Sequence, residues 1–479
     1  MSKNNIYLAW DKINWKLVQQ KVRRVQIRIY KAKKLNKISK MHWLQNLLVR
    51  SIDAKLLAIQ KVTLIYIKSG EYGRTILTDR QKIKLVKKLH IDGKAHPIKK
   101  VWKSKYRKAK KQTLEISIIK DQAKQMLAKF ALEPEWEAVF EPNSYGYRFK
   151  LSVPDAIQAI FMSLNKQNQK WIFSTDIRKS FNKIYTQTMI DKLSTFPLMK
   201  KQIESWLNVG ILEAYVNLDK HWIFPIIETS NGIIISPLLV NIALHGLETH
   251  LTSFSKNLEK KSINSFCESS FINKKSLKFI RFADQFILIH DDKKFLQFYR
   301  VESNKWLSKI GLSLNVENAK LNSGTVGFSF LGFQIIQVVK SNIYKAKITP
   351  SKKSQKLLLF KIKNIIQKNK AISSYNLIKK LRPVILEWGN YFKFCECKTI
   401  YRNLSHRIFL KLRAWVFRRD TRSARNIQKN KYFPTNKIWK FENRIYKDNW
   451  VFYGKTKNNE NQVSENFLPH LSWIRQEKT

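Results

Sequence analysis

Lys278-Phe-Ile-Arg-Phe-Ala-Asp284-Gln285-Phe-Ile-Leu-Ile-His-Asp-Asp292 is the stretch that decides how this chain is read. An apolar strand delivers a carboxylate to a tight turn, and a second apolar strand leaves it. About a hundred residues upstream, Lys170-Trp-Ile-Phe-Ser-Thr-Asp176 is a second strand that ends in an acid. Two strand-borne aspartates can hold Mg²⁺ for phosphoryl transfer on a polynucleotide, because carboxylate oxygens are hard ligands and the ions offset charge on the reacting phosphates. Gln285 stands beside Asp284 where another acid is expected, so the ion site is expected to be weakened. Asp291 and Asp292 lie a full strand away and are expected to cap the hairpin.

The bulk composition fits such a substrate. The chain has 479 residues, enough for two to four domains, and 44% of them are hydrophobic, so a packed core is expected. Lys and Arg number 91 against 34 acids, a net charge of +57. That excess points to a polyanionic partner, since basic side chains release the counterions condensed on phosphates. No apolar run reaches spanning length, and Ile233 to Leu244 is interrupted by Ser236, Pro237 and Asn241, so no membrane partner is expected. The three cysteines, Cys267, Cys395 and Cys397, have neither disulfide-framework nor zinc-ligand spacing, which suggests a reducing compartment. The Met1-Ser-Lys-Asn-Asn start has no apolar segment of a secretory signal. Heavy use of Lys, Ile and Asn suggests an AT-rich genome, such as that of an organelle.

Residues 1 to about 65 read as two basic amphipathic helices. The first has the stripe Val18, Val22, Val25 and Ile29, with Lys21, Arg23, Arg24 and Arg28 between; the second has Leu44, Leu48, Ile52, Leu56 and Ile59. Packing on a core with a solvated basic face explains the pattern, and the basic face also suits RNA. Alternation around Val101 predicts a hairpin. Residues 166–340 alternate strands and helices, as in an α/β or an α+β fold, with 251–276, rich in Ser, Asn and Lys, as a surface loop. From Ser341 to Arg419 the chain turns helical, with twenty Lys or Arg, Lys379, Lys380, Arg382, Arg413, Arg418 and Arg419 among them, against two acids, Glu387 and Glu396. The interleaved Tyr375, Trp388, Tyr391, Phe392, Phe394, Tyr401 and Trp415 are expected to be mostly core, with the charge facing RNA. The last sixty residues read as a small appended module or a partly folded tail.

Several of these segments resemble one family in the right order. Glu133-Pro-Glu-Trp-Glu-Ala-Val-Phe-Glu-Pro-Asn-Ser-Tyr-Gly-Tyr-Arg148, with Ile119 to Gln125 before it, resembles the segment after the fingers of group II intron-encoded reverse transcriptase/maturases. Asn231-Gly-Ile-Ile-Ile-Ser-Pro-Leu-Leu-Val-Asn-Ile-Ala-Leu-His245 resembles the helix after that family's Pro-Gln-Gly, and Gly311 to Asn315 and Phe328 to Phe333 resemble the motifs after its catalytic hairpin. Glu387-Trp-Gly-Asn-Tyr-Phe392 resembles the signature of the maturase thumb, domain X. The resemblance runs from about residue 8 to 450.

The resemblance implies a right-hand polymerase of α+β class. Its parts would be an N-terminal RNA-binding extension over 1–80, fingers and palm over 81–340, an α-helical thumb over 341–425, and a basic tail or DNA-binding remnant over 426–479. It also implies that the protein binds group II intron RNA and assists folding and splicing, with a DNA target as a further partner if the intron is copied. The same likeness implies that Asp176 and Asp284 are the principal ligands of Mg²⁺, and that the aromatic Phe181 blocks a ribonucleotide's 2′-hydroxyl. Plainer readings stay open: an ordinary buried Phe181, and Asp176 and Asp284 as hairpin residues without an ion. Departures from the family pattern gather on the nucleotide side. Gln285 removes a charge, Gln112 and Gln122 stand where Arg is usual, Ser230-Asn231-Gly232 replaces Pro-Gln-Gly, and Glu115 replaces a Gly. The expectation is a maturase with impaired DNA synthesis, against the alternative of an active RNA-directed DNA polymerase. A general basic RNA scaffold is less consistent with the ordered motifs. No zinc endonuclease module is expected, and an organelle is the expected location, plastid ahead of mitochondrion.

Overall fold

The computed structural model describes residues 10–69, 77–97, 99–104, 111–116, 118–149, 151–165, 168–177, 184–212, 234–264, 277–340, 343–419, 424–457 and 463–477. They form two compact units, Met1–Ile160 with Lys170–Leu321, and Phe161–Gln169 with Asn322–Thr479.

The first unit opens with three helices rather than the expected two: α1 (Trp15–Lys34), α2 (Ile38–Arg50) and α3 (Ile52–Ser69). The expected second stripe is cut at Ser51, which is extended (φ −67°, ψ 140°) and whose Oγ accepts from the N–H of Ala54 at 3.1 Å, capping α3. Ile52, counted in that stripe, is 49% exposed as a result. After α4 (Asp79–Lys88), opened by a Thr78/Gln81 capping box, comes a two-stranded hairpin, β1 (Lys99–Ser104) and β2 (Lys111–Ile116), as the alternation around Val101 predicted.

The helix α5 (Ile119–Glu137) is buried nearly all round, and α1, α2 and α3 pack on it. Pro134 lies inside this helix and has no N–H for the carbonyl of Phe130. Gln26 of α1 supplies the missing donor, its Nε2 lying 3.0 Å from the Phe130 oxygen. Gln45 of α2 donates to the Ala131 carbonyl at 3.2 Å and to Glu135 Oε2 at 2.7 Å. Burial pushes the Glu135 carboxyl up, and the bonds from Gln45 and Lys33 oppose that shift. The extension is therefore seated on α5 by polar anchors as well as by its apolar stripe.

Beyond α5, the first unit builds its sheet from β3 (Ser144–Tyr145), β4 (Trp171–Asp176), β5 (Lys278–Phe282), β6 (Gln285–His290) and β7 (Lys320–Ser323), in the order β3-β5-β6-β4-β7. The segment Lys278–His290 is the expected hairpin, with Phe282 paired to Gln285 across a two-residue turn. Strand β4 runs antiparallel to β6 and sets Trp171 opposite His290 and Asp176 opposite Gln285. The inner strands are apolar and buried, as strands covered on both faces must be. Further helices α6 (Val153–Leu164), α7 (Thr186–Lys192), α8 (Pro197–Asn208), α9 (Ser236–Leu244), α10 (Leu247–Asn264) and α11 (Lys293–Ser308) follow in chain order. α10 corrects the expected loop over 251–276: Leu247 and Leu251 are buried, and Thr252 Oγ1 folds back to the Glu248 carbonyl at 2.8 Å, so its hydroxyl does not break the helix. Residues 265–276 lie outside the described residues.

The second unit starts with an antiparallel sheet, β8 (Phe328–Phe330), β9 (Phe333–Lys340) and β10 (Ile343–Pro350). The expected helical run from Ser341 thus begins instead at α12 (Lys352–Lys368), because Ile343 to Pro350 pairs with β9. α13 (Ser374–Phe392) and α14 (Lys398–Arg419) complete a three-helix group around Leu358, Ile362, Leu381, Ile385, Leu404 and Leu412. Ser351 and Ser373 cap α12 and α13, each hydroxyl accepting from a backbone N–H. Trp388, Phe392, Tyr401 and Trp415 are buried in that core. After α15 (Arg425–Tyr432), the described tail is folded: β11 (Trp439–Phe441) pairs with β12 (Arg444–Tyr446), and β13 (Tyr453–Lys457) with β14 (Val463–Phe467). Trp439, Phe441, Tyr453 and Trp473 give these hairpins an aromatic core of their own.

Candidate functional site

The turn between β5 and β6 consists of Ala283 and Asp284, and Ala283 holds φ +55°, a left-handed value costly for a residue with a Cβ. A buried polar frame fixes it. Arg281 is fully buried, and its guanidinium donates to Asn241 Oδ1 at 3.0 Å, to the Ala283 carbonyl at 3.1 Å and to Ser144 Oγ. Asn241 of α9 in turn donates to the Gly146 carbonyl at 3.0 Å. The Ala283 N–H bonds to the Tyr145 carbonyl at 3.1 Å, so a Cβ on Gly146 (φ +89°) would sit 2.9 Å from that nitrogen. Arg281 and Asn241 therefore hold the turn that carries Asp284; the sequence reading had Asn241 only as a break in an apolar run and passed over Arg281. The signal was a cation inside the apolar strand Phe279-Ile-Arg-Phe282.

Asp176 lies at the end of β4, 8% exposed and directly opposite Gln285. The N–H of Ile177 donates to the Asp284 carbonyl at 2.9 Å, so the two aspartates sit on adjoining backbone. A short segment after α11 closes over Asp176: its carbonyl accepts from the N–H of Asn315 at 3.0 Å, and its Oδ2 accepts from Asn318 Nδ2 at 3.0 Å. Asp176, Asp284 and Gln285 thus share adjoining backbone, and their donor types, two carboxylates and one neutral amide, carry less charge than a three-acid set. Among the described residues no group of three or more His, Cys, Asp or Glu is placed to hold a metal. Asp292 caps α11, accepting from the N–H of Lys294 at 2.7 Å, and Asp291 pairs with Lys170.

The other expected nucleotide-side residues divide by position. Gln122 lies on α5, fully buried. Gln125, one turn on, accepts from the N–H of Ile234 at 3.1 Å and so holds the entry to α9. Gln112 and Glu115 are in β2, with side chains outside the described residues, and Phe181, Asn231 and Gly232 lie outside them altogether. Lys192 Nζ donates to the carbonyls of Ala243 and His245 at 2.7 and 2.9 Å, closing the end of α9. Burial pulls that ammonium down to about 8, Glu141 opposing and Arg281 adding to the shift.

The expected RNA-facing cations are mostly on the surface. Lys21, Arg23, Arg24 and Arg28 are all exposed on α1, a helix with no acid of its own; Lys21 lies 3.7 Å from Asp53 and Arg23 stacks on Phe149. In the second unit Lys379, Lys380, Arg413 and Arg418 are exposed. Arg382 and Arg419 are used within the protein. Arg382 donates to Asn466 Oδ1 at 3.2 Å and lies 5.2 Å over Phe467, while Arg419 donates to the carbonyls of Ile372 and Ala371 and lies 5.1 Å over Trp415. No helix among the described residues is long and apolar enough to cross a membrane.

Comparison with known proteins agrees with this layout. The family model for reverse transcriptase (RNA-dependent DNA polymerase) matches residues 98–335, that for the N-terminal domain of reverse transcriptase matches 10–89, and that for the group II intron maturase-specific domain matches 355–433. The Euglena gracilis Maturase-like protein 1 is 27% identical over 405 residues, covering 81% of this chain and 77% of the relative. The Euglena longa protein of the same name is 25% identical over 440 residues, 87% of this chain and 83% of the relative. The group II intron-encoded protein LtrA of Lactococcus lactis subsp. cremoris is 27% identical over 209 residues, 41% of this chain and 34% of that protein. With an extension seated on α5, an aspartate-bearing hairpin beside the strand that ends in Asp176, and a basic helical unit matched in this order, the chain belongs to the group II intron reverse transcriptase/maturase family, as an intron maturase with a reverse transcriptase-like domain.

Proposed function

We propose that this maturase binds structured group II intron RNA and lowers the free energy of its spliced fold, while its own DNA synthesis is impaired. The intron ribozyme carries the chemistry; the protein contributes binding free energy to the folded RNA. The carrying observation is α1, twenty residues without an acid, presenting Lys21, Arg23, Arg24 and Arg28 to solvent. Lys379, Lys380, Arg413 and Arg418 add phosphate contacts from the second unit, and Arg382 and Arg419 hold that surface in shape. In this reading residues 1–80 are the RNA-binding extension, 81–340 fingers and palm, 341–425 the thumb, and 426–479 a basic module. Its place is an organelle, a plastid ahead of a mitochondrion, in keeping with the Lys-, Ile- and Asn-rich composition. Splicing of the host intron at low Mg²⁺, with and without protein, tests the role: a faster reaction with protein is expected, and equal rates would exclude it for that intron.

Impairment rests on the donor set. Asp176 and Asp284 are the residues that would hold Mg²⁺, and bound Mg²⁺ would activate a primer hydroxyl and offset phosphate charge. Gln285 supplies a carbonyl but no negative charge, which weakens attraction for a second ion. Neutral Gln112 and Gln122 offer no bidentate cation to a triphosphate. The second reading, an active RNA-directed DNA polymerase, draws on Asp176, Asp284 and the aromatic Phe181, which lies outside the described residues. Primer extension on an RNA template separates the two: little or no product is expected, and robust extension abolished by Asp176→Ala would establish the second.

A further inference from the structure

We infer that Asn318 is a lock on the metal face of the palm, an amide that occupies Oδ2 of Asp176 and so withholds one of the two oxygens with which that carboxylate would hold a divalent cation. The inference rests on the proposed reading of Asp176 as an ion-holding carboxylate. Three bonds put Asn318 in place. The Asn315 N–H donates to the Asp176 carbonyl at 3.0 Å, the Leu314 N–H is held by Asn304 Oδ1 at 3.0 Å, and the Asn318 N–H closes a turn on the Asn315 carbonyl at 3.2 Å. Ile177 and Leu314 also form a β-bridge. The turn is therefore fixed to the end of β4, and from it the Asn318 amide delivers an N–H to Asp176 Oδ2 at 3.0 Å.

An amide donor and a cation compete for one oxygen. The carboxylate is buried and needs a partner, and a hydrogen bond to a charged group is among the stronger ones. A cation held through Oδ2, or through both oxygens of Asp176, must displace or share that N–H, and among the described residues the facing hairpin offers it Asp284 and the neutral Gln285. Gln285 thus lowers the attraction for an ion, while Asn318 raises the cost of admitting one. These are separate effects from separate segments. Asn318 itself is exposed, so it can be replaced without opening the core.

Mn²⁺ titration of the whole protein, followed by electron paramagnetic resonance of the free ion, tests this. The high positive charge of the chain keeps background cation binding low. Asn318→Ala is expected to bind Mn²⁺ about tenfold more tightly than wild type, the factor expected for one lost hydrogen bond to a charged group. The gain should vanish in Asn318→Ala/Asp176→Asn. Asn318→Asp, which sets a second carboxylate against Asp176, should melt lower in EDTA and recover on adding Mn²⁺, whereas wild-type melting should respond little. Equal Mn²⁺ affinity of wild type and Asn318→Ala would overturn the inference, as would a gain that survives Asp176→Asn. The readout is taken on free protein without RNA, so a failure of splicing assistance leaves it untouched.

Discussion

Arg281 frames the hairpin that carries Asp284, and Lys192 closes the end of α9, the helix that supplies Asn241 to that frame. Arg281→Met would remove the guanidinium donor from Asn241 Oδ1, Ser144 Oγ and the Ala283 carbonyl, all inside the core. The expected loss is about 3 kcal/mol in urea unfolding, the size seen when one member of a buried polar set is deleted. Lys192 makes a pH prediction. Its ammonium is held at about 8 against an ordinary 10.5, so between those values the unfolded chain binds more protons than the folded one. Stability due to this residue therefore rises with pH from about 8 to 10.5 and is lowest below 8, where burial of the charge is felt in full. Lys55 and Lys361 shift in the same direction, so the measurement is a difference. The stability gap between wild type and Lys192→Met should move in favour of wild type as pH rises from 8 to 10, and a gap independent of pH would contradict the assignment.

Two contacts between elements give sharper tests than any residue alone. Pro134 deprives the Phe130 carbonyl of its helical donor, and Gln26 of α1 replaces it. Gln26→Ala should cost about 1 kcal/mol in wild type and clearly less in Pro134→Ala, where residue 134 regains an N–H for the same carbonyl. A double-mutant cycle by chemical unfolding measures the difference. In the second unit, Gly454 of β13 lies against the start of α13: a Cβ there would meet the Tyr375 backbone nitrogen at 2.3 Å. Gly389 inside α13 faces Ile474, whose Cδ1 would be 2.0 Å from an added Cβ but is the free end of a flexible side chain. Gly454→Ala should therefore destabilise by roughly 1–3 kcal/mol, and Gly389→Ala by less, since only the second neighbour can swing aside. Thermal melting of both variants checks the order.

Over the whole molecule, the charge of +57 sets how RNA is held. Affinity for intron RNA should fall steeply with salt, and Arg24→Ala/Arg28→Ala should lower the log–log slope by roughly 0.7–0.9 for each phosphate contact removed. Filter binding across a salt series measures this. An unchanged slope would mean that α1 does not touch phosphate. The same variant should weaken binding to all structured RNA alike, because phosphate contacts carry no base information.

The strand–turn–strand at Asp284, the strand ending in Asp176, the stripe of α1 and the basic helical character of the second unit were legible along the chain, though not its division into three helices or the strand Ile343–Pro350 before them. Each depends on a local period or a turn, and such patterns need only neighbours within a few residues. The break at Ser51 was not legible, because the apolar period carries on through it while the backbone does not. Nor was the helix over Leu247–Asn264, whose polar composition resembles a loop until Leu247 and Leu251 find a core. The frame around the aspartates lay further out of reach. Ser144 meets Arg281 across 137 positions, and Asp176 meets Asn318 across 142. Chain order fixed which carboxylates the palm possesses, since strand period and turn chemistry are local; packing alone chose the amide and the guanidinium that surround them, since a buried polar group takes its partner from whatever the fold brings within 3 Å.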